Sequence, residues 1–198
     1  FKENANKIKT FELLNKNILI AGFGRIGKKL ITRCLAFDTK VYVYDPYVDE
    51  KIIREHGGIK IDNIEEGLKI ADYISLHMPL TPETKDLINY SILKKMKSTT
   101  VLVNTARGGI INEQSLITAL QNKTIYAAGI DVFEVEPPNE NNPILNLPNA
   151  LLSPHNAALT LECRKRMAVE AARNIVYFLI KEKELNINNI VNRKILNF

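Results

Sequence analysis

The chain has 198 residues, 45% apolar and 25% charged, which suits one sizeable globular domain and leaves too little for a second full one. Its formal charge of +5 comes from 27 basic and 22 acidic residues. The basic residues are scattered, with modest concentrations at Lys94–Lys97 and Arg164–Arg166, so solvated helix faces are expected and not a nucleic-acid footprint. Cys34 and Cys163 lack a third partner or metal-ligand spacing, and no apolar run approaches membrane-spanning length. Reduced packing thiols in a cytoplasmic protein, without metal, are the expectation. The chain opens on Phe1 and not Met, so an earlier segment is expected.

After a polar opening stretch that suits a helix end or a connector, apolar strands and amphipathic helices alternate nearly to the end. The patterns predict strands over 17–21, 40–44, 59–61, 72–76, 100–104, 125–130 and 149–152. Helices are predicted over 25–36, 48–56, 64–70, 90–96, 113–122 and about 158–181. Thr100-Val-Leu-Val103 is apolar without alternation, as a parallel strand covered on both faces should be. The fold class expected is therefore α/β, a Rossmann-like doubly wound, mostly parallel sheet with helices on both faces. A single domain over 1–198 is expected, with a core of about 13–181 and a C-terminal tail over 182–198, whose isoleucines and asparagines from Ile187 to Phe198 suit packing against an element outside this chain. Pro137 to Pro143 is a proline- and asparagine-rich loop that cannot continue a helix.

Gly22, Gly24 and Gly27 stand at G-x-G-x-x-G spacing straight after the first strand, and the second strand ends on Asp45, 18 residues beyond Gly27. Strand, glycine turn, helix, strand and acid in this order form a dinucleotide site. Gly22 permits the tight turn, Gly24 lets backbone approach a pyrophosphate, and Gly27 lets the helix pack close to the sheet. Asp45 stands where an adenosine ribose places its hydroxyls. Its carboxylate would repel a 2′-phosphate and no Arg follows in Pro46-Tyr47-Val48, so NAD is favoured over NADP.

Catalysis also needs a proton-handling group and a substrate grip. His56 lies at a helix end, where a basic side chain is unremarkable. His77 directly follows a strand, so it lies near the ligand crevice or serves as a structural hydrogen-bonding residue. His155, between Pro154 and the last helix, is placed to donate a proton to a carbonyl oxygen, or else is a loop or cap histidine. Arg107 follows the strand over 100–104, and its planar fork suits a substrate carboxylate; the alternative is a surface arginine in a glycine-containing turn. Glu136, if it contacts His155, would hold the ring's tautomer and keep a proton available; otherwise it is one acid of three on an exposed loop. Asp131 either orients the nicotinamide amide or caps a turn.

The motifs Gly22-Phe-Gly-Arg-Ile-Gly27, His77-Met-Pro-Leu-Thr81 with Thr84, Asn104-Thr-Ala-Arg-Gly-Gly109, Gly129-Ile-Asp-Val-Phe-Glu-Val-Glu-Pro137 and Ser153-Pro-His155 occur together in one family's order. The chain resembles the D-isomer-specific 2-hydroxyacid dehydrogenases, such as phosphoglycerate dehydrogenase and hydroxypyruvate or glyoxylate reductases, from about Leu13 to Asn192. The resemblance implies that Arg107 binds substrate, that His155 is the catalytic acid/base and that Glu136 is the acid paired with it. It places Asp131 at the nicotinamide carboxamide and Asp45 at the adenosine ribose. Further cofactor contacts are implied for Arg25, Ile26 and Pro46, for His77, Pro79 and Thr84, and for Thr105, Ala106 and Ala157. The expected substrate is a small 2-keto or 2-hydroxy acid, and the expected assembly is a homodimer.

One departure is Asn156, where many members carry an apolar residue; Ala157 and Ala158 keep the following positions small, so the cofactor should fit while the mouth of the site differs. The family's N-terminal substrate domain is also expected to be absent from this chain. A rival reading is a non-enzymatic NAD(H)-binding regulatory module, comparable to the family's corepressor relatives. A cofactor domain like that of S-adenosylhomocysteine hydrolase fits worse, because the histidine and arginine motifs would then be coincidence.

Overall fold

The computed structural model describes residues 11–180 and 186–192. The first of two units, Phe1–His155, holds strands β1 (Asn17–Ala21), β2 (Lys40–Tyr44), β3 (Ile59–Lys60), β4 (Tyr73–Leu76), β5 (Val101–Asn104), β6 (Ala127–Ile130) and β7 (Ala150–Leu152). Between them lie helices α1 (Arg25–Leu35), α2 (Glu50–Glu55), α3 (Ile64–Ile70), α4 (Tyr90–Leu93) and α5 (Glu113–Gln121). All seven strands pair in parallel, in the order β3-β2-β1-β4-β5-β6-β7. Because the chain leaves β1 toward β2 on one side and later returns to β4 on the other, a crevice opens beyond the carboxyl ends of β1 and β4.

The two-residue period of β1 divides its apolar side chains between two cores. Ile18 and Ile20 join Ile31 and Cys34 of α1 and Ile53 of α2. Leu19 and Ala21 face the other way, into a cluster with Leu68 of α3, Leu93 of α4 and Leu116 and Leu120 of α5. Helices therefore cover both faces, as the unbroken apolar strands require. The expected doubly wound sheet is the one observed.

Element ends follow their caps. The helix predicted over 48–56 begins at Glu50 because the Asp49 carboxylate accepts from the Lys51 N–H. The helix predicted over 90–96 stops at Leu93, capped at its start by Asn89. The second unit, Asn156–Phe198, contains α6 (Leu161–Leu179), where Thr160 accepts from the Cys163 N–H. No residue of α6 is buried, and Leu161, Met167 and Ile175 stand exposed. A short 3-10 turn follows at Ile187–Asn189. The polar opening over 1–10 and most of the expected tail, 182–185 and 193–198, lie outside the described residues. Among the described residues no helix is long and apolar enough to cross a membrane.

Asp72 fastens the start of the sheet. One carboxylate oxygen accepts from the Asn17 N–H at 2.9 Å and the other from Lys97 Nζ at 2.8 Å. Burial pushes its carboxyl pKa up, but the hydrogen bonds from Lys97 and Asn17 outweigh that and leave it below the ordinary aspartate value. A depressed folded pKa means that the stabilisation is complete above the unfolded value and is lost as pH falls through the folded one. Asp72→Asn should therefore cost about 1 kcal/mol at neutral pH, since the pair is partly screened. In urea melts the gap from wild type should close as the pH is lowered through the acid range; a constant gap would contradict a role for the charge.

Candidate active site

At the β1 end the three glycines differ in what surrounds them. Gly22 has φ +101°, a region costly to any L side chain, and a Cβ there would lie 2.6 Å from the His77 carbonyl carbon. A Cβ on Gly27 would run into the Gly22 carbonyl oxygen. At Gly24 a Cβ would meet nothing within 4 Å. Two glycines thus press α1, β1 and β4 together while the third faces open ground. The N-terminus of α1 has no side-chain cap, and Arg25 and Ile26 beside it are exposed. Uncapped N–H groups, a positive dipole end and approachable backbone form a donor set that fits a pyrophosphate.

Asp45 closes this loop. Its Oδ2 accepts from the Phe23 N–H at 2.7 Å and its Oδ1 from the Tyr47 N–H at 2.9 Å. Two amide bonds orient the carboxylate and leave acceptor capacity on both oxygens, which fits a pair of ribose hydroxyls. Pro46 and Tyr47 beside it are exposed. Sequence reasoning gave Asp45 only to the ribose and missed its hold on Phe23, because a backbone donor leaves no mark in a sequence.

His77 continues from β4, with its N–H donating to the Ala21 carbonyl at 2.7 Å and its Nε2 2.9 Å from Ser75 Oγ. Burial pushes its pKa down, so it stands neutral at physiological pH and is a poor reservoir for a proton. In the next loop, Thr84 Oγ1 donates to the Pro79 carbonyl at 2.7 Å and accepts from the Thr81 N–H at 2.8 Å. Thr84 shapes this loop through its hydroxyl.

The candidate chemical groups come from three adjacent strand ends. After β5, buried Asn104 accepts from the Ala106 N–H at 3.0 Å and donates to the Arg107 carbonyl at 2.9 Å, which shapes the Thr105–Arg107 turn. Arg107 itself is exposed, with Nη1 on the Ala106 carbonyl at 2.6 Å. After β6, Asp131 is 3% exposed and accepts from Ser153 Oγ at 2.6 Å. After β7, the His155 N–H donates to the Asp131 carbonyl at 2.8 Å. His155 has φ +51°, an uncommon conformation outside glycine that these backbone bonds maintain.

His155 and Glu136 meet. Nδ1 of the ring lies 2.8 Å from Glu136 Oε2, and Glu136 Oε1 accepts from the Phe133 N–H at 3.0 Å. The His155 ring and then the Phe133 amide hold the Glu136 carboxyl below the usual glutamate range, so it is an acceptor across the physiological range. A carboxylate at Nδ1 fixes the tautomer that carries its proton there and leaves Nε2 for proton exchange. The side chains are 50% and 37% exposed, so the pair faces a surface open to ligand. His56 lies elsewhere, its ring edge-on to Phe23 at 5.5 Å. Ala157 belongs to the second unit. Asn104 and Ser153 open two of the quoted motifs, but their own orienting roles are not legible in the sequence, where each is a polar residue at the end of an apolar strand.

Asp45→Ala removes the acceptor for the partly buried Phe23 amide as well as the carboxylate expected to meet a ribose. It should lower stability by about 1–3 kcal/mol in urea melts. Calorimetry should show NADH affinity falling more than NADPH affinity; equal losses would remove the reason for assigning Asp45 to the ribose.

Residues 2–157 match the family described as "D-isomer specific 2-hydroxyacid dehydrogenase, NAD binding domain". The chain is 39% identical over 186 residues to a D-3-phosphoglycerate dehydrogenase of Methanocaldococcus jannaschii, covering 94% of this chain and 35% of that protein. It is 40% identical over 185 residues to a glyoxylate reductase of Aeropyrum pernix, covering 93% and 54% respectively. Among solved structures, an NAD-dependent formate dehydrogenase from Staphylococcus aureus in complex with NAD superposes with a TM-score of 0.79 at 32% identity, over 91% of this chain and 53% of that one. The chain thus spans about half or less of the length of these relatives. With its match over residues 2–157 and the parallel sheet that carries the motifs, it belongs to the D-isomer-specific 2-hydroxyacid dehydrogenase family, as that family's NAD-binding domain.

Proposed function

We propose that this chain is the cofactor-binding part of an NAD-dependent enzyme that interconverts a D-2-hydroxy acid and its 2-keto acid, with phosphoglycerate dehydrogenase-like or hydroxypyruvate/glyoxylate reductase-like chemistry. The observation that carries the reading is the 2.8 Å pair between His155 Nδ1 and Glu136. A domain that only senses NADH has no need of an oriented acid/base.

NAD fits the donor set at Gly24, the α1 N-terminus and Asp45; when bound, it supplies or accepts the hydride. His155, charged, gives the Nε2 proton to the substrate oxygen in reduction, and neutral it takes that proton back in oxidation. Glu136 stays ionised and stabilises the charged ring. Arg107 grips the substrate carboxylate with its planar fork, which requires it to leave the Ala106 carbonyl. Asp131 and His77 orient the nicotinamide end, and Pro79, Thr84, Thr105, Ala106 and Ala157 line the cofactor. These residues would treat many 2-keto acids alike, so the side chain or phosphate of the substrate is read elsewhere.

A homodimer is part of the proposal, by resemblance to the family. So is a cytoplasmic location, which suits free thiols at Cys34 and Cys163. In the complete polypeptide, His155→Ala should leave NADH affinity nearly unchanged and lower keto-acid turnover by about 10²–10⁴. Unchanged turnover would remove the mechanism.

A further inference from the structure

The Arg107 turn and the Glu136 loop follow different strands, with Arg107 on the Ala106 carbonyl and Glu136 on the His155 ring. Their backbones are nevertheless fastened to each other. Next to Arg107, Gly108 lies so close to the second loop that a Cβ there would run into the Phe133 carbonyl oxygen. Five residues further on, at the first turn of α5, the two loops exchange a reciprocal pair of bonds. The Glu113 N–H donates to Glu134 Oε1 at 2.8 Å, and the Glu134 N–H donates to Glu113 Oε2 at 3.2 Å. The second Glu113 oxygen accepts from Asn142 Nδ2 at 2.6 Å.

This use of two glutamates is unusual. Like charges repel, yet here each carboxylate is aimed at the other's backbone amide, and both sit at the N-terminal end of α5, where the dipole favours negative charge. The local capping need of α5 is already served by Asn112, which accepts from the Ser115 N–H at 2.9 Å. What the pair adds is position. Within residues 133–136, the Phe133 N–H holds the Glu136 carboxylate and the next N–H, that of Glu134, is tied to α5. Glu113 holds the same loop again at Asn142, so one carboxylate pins both ends of the segment that carries Glu136.

We infer that Glu113 and Glu134 are positioning residues, forming a brace that sets the Glu136–His155 pair in register with the Arg107 turn. The inference rests on the function proposed above for those three residues, and deepens it. It separates what each glutamate must supply. Glu134 needs one oxygen acceptor, which glutamine retains. Glu113 must accept twice, from Glu134 and Asn142, which a single amide oxygen does less well.

The test pairs a readout independent of turnover with one that depends on it. In this chain, NMR ring shifts of His155 at fixed pH should stay at their wild-type values in Glu134→Gln. In Glu134→Ala they should move toward those of Glu136→Gln. In the complete polypeptide, Glu134→Ala should lower kcat for keto-acid reduction by about tenfold with NADH affinity unchanged, and Glu134→Gln should restore it. Placed on Glu136→Gln, the Glu134→Ala change should cost nothing more, because the brace acts through Glu136. Wild-type ring shifts in Glu134→Ala, or a loss that multiplies on the Glu136→Gln background, would overturn the brace. If the shifts move as described while His155→Ala leaves turnover intact, the brace stands and the proposed function falls.

Discussion

Everything at the ligand end of this domain depends on how closely three pieces of backbone approach at Gly22. The His77–Met78 peptide of the β4 end lies against one side of it and Gly27 of α1 against its carbonyl, and neither approach leaves room for a side chain. Close packing here is a steric condition and cannot be met by repacking, because the obstructing atoms are backbone. Once it is met, the N-terminus of α1 is carried to the crevice beside β4 and Gly24 is left facing outward. Asp45 then needs only to stand at the end of the neighbouring strand to reach the same loop through the Phe23 amide.

The sheet order distributes the labour. The residues proposed for adenosine and phosphate follow β2 and β1, and those proposed for acid/base and substrate follow β5, β6 and β7, with β4 between them. A dinucleotide laid across the crevice spans that distance, so its two ends meet different chemistry. The two histidines at strand ends illustrate the separation. His77 is partly buried and held neutral, which suits orientation; His155 is half exposed and backed by a carboxylate, which suits proton transfer.

Much of this was legible in the sequence for identifiable reasons. Strand and helix alternation shows because each element repeats its own hydrophobic period, and the glycine spacing shows because no other residue serves at Gly22 or Gly27. The Glu136–His155 contact joins residues 19 apart and becomes definite only when β6 and β7 are laid side by side. Asn104 and Ser153 act by orienting neighbours, and their types are too common in loops to announce it. Bonds to backbone amides, at Phe23 from Asp45 and at Glu113 from Glu134, are silent in a sequence because every residue carries the donor. The left-handed backbone at His155 is equally silent, since histidine only tolerates it.

The central claim is that Gly22 to Asp45 forms a working NAD site, and the most direct measurement is a calorimetric titration of the wild-type chain with NADH and, separately, NADPH. The account predicts saturable binding of NADH with clear preference over NADPH, because Asp45 accepts from ribose hydroxyls and repels a 2′-phosphate. A folded chain that binds neither, or binds both equally, would contradict it.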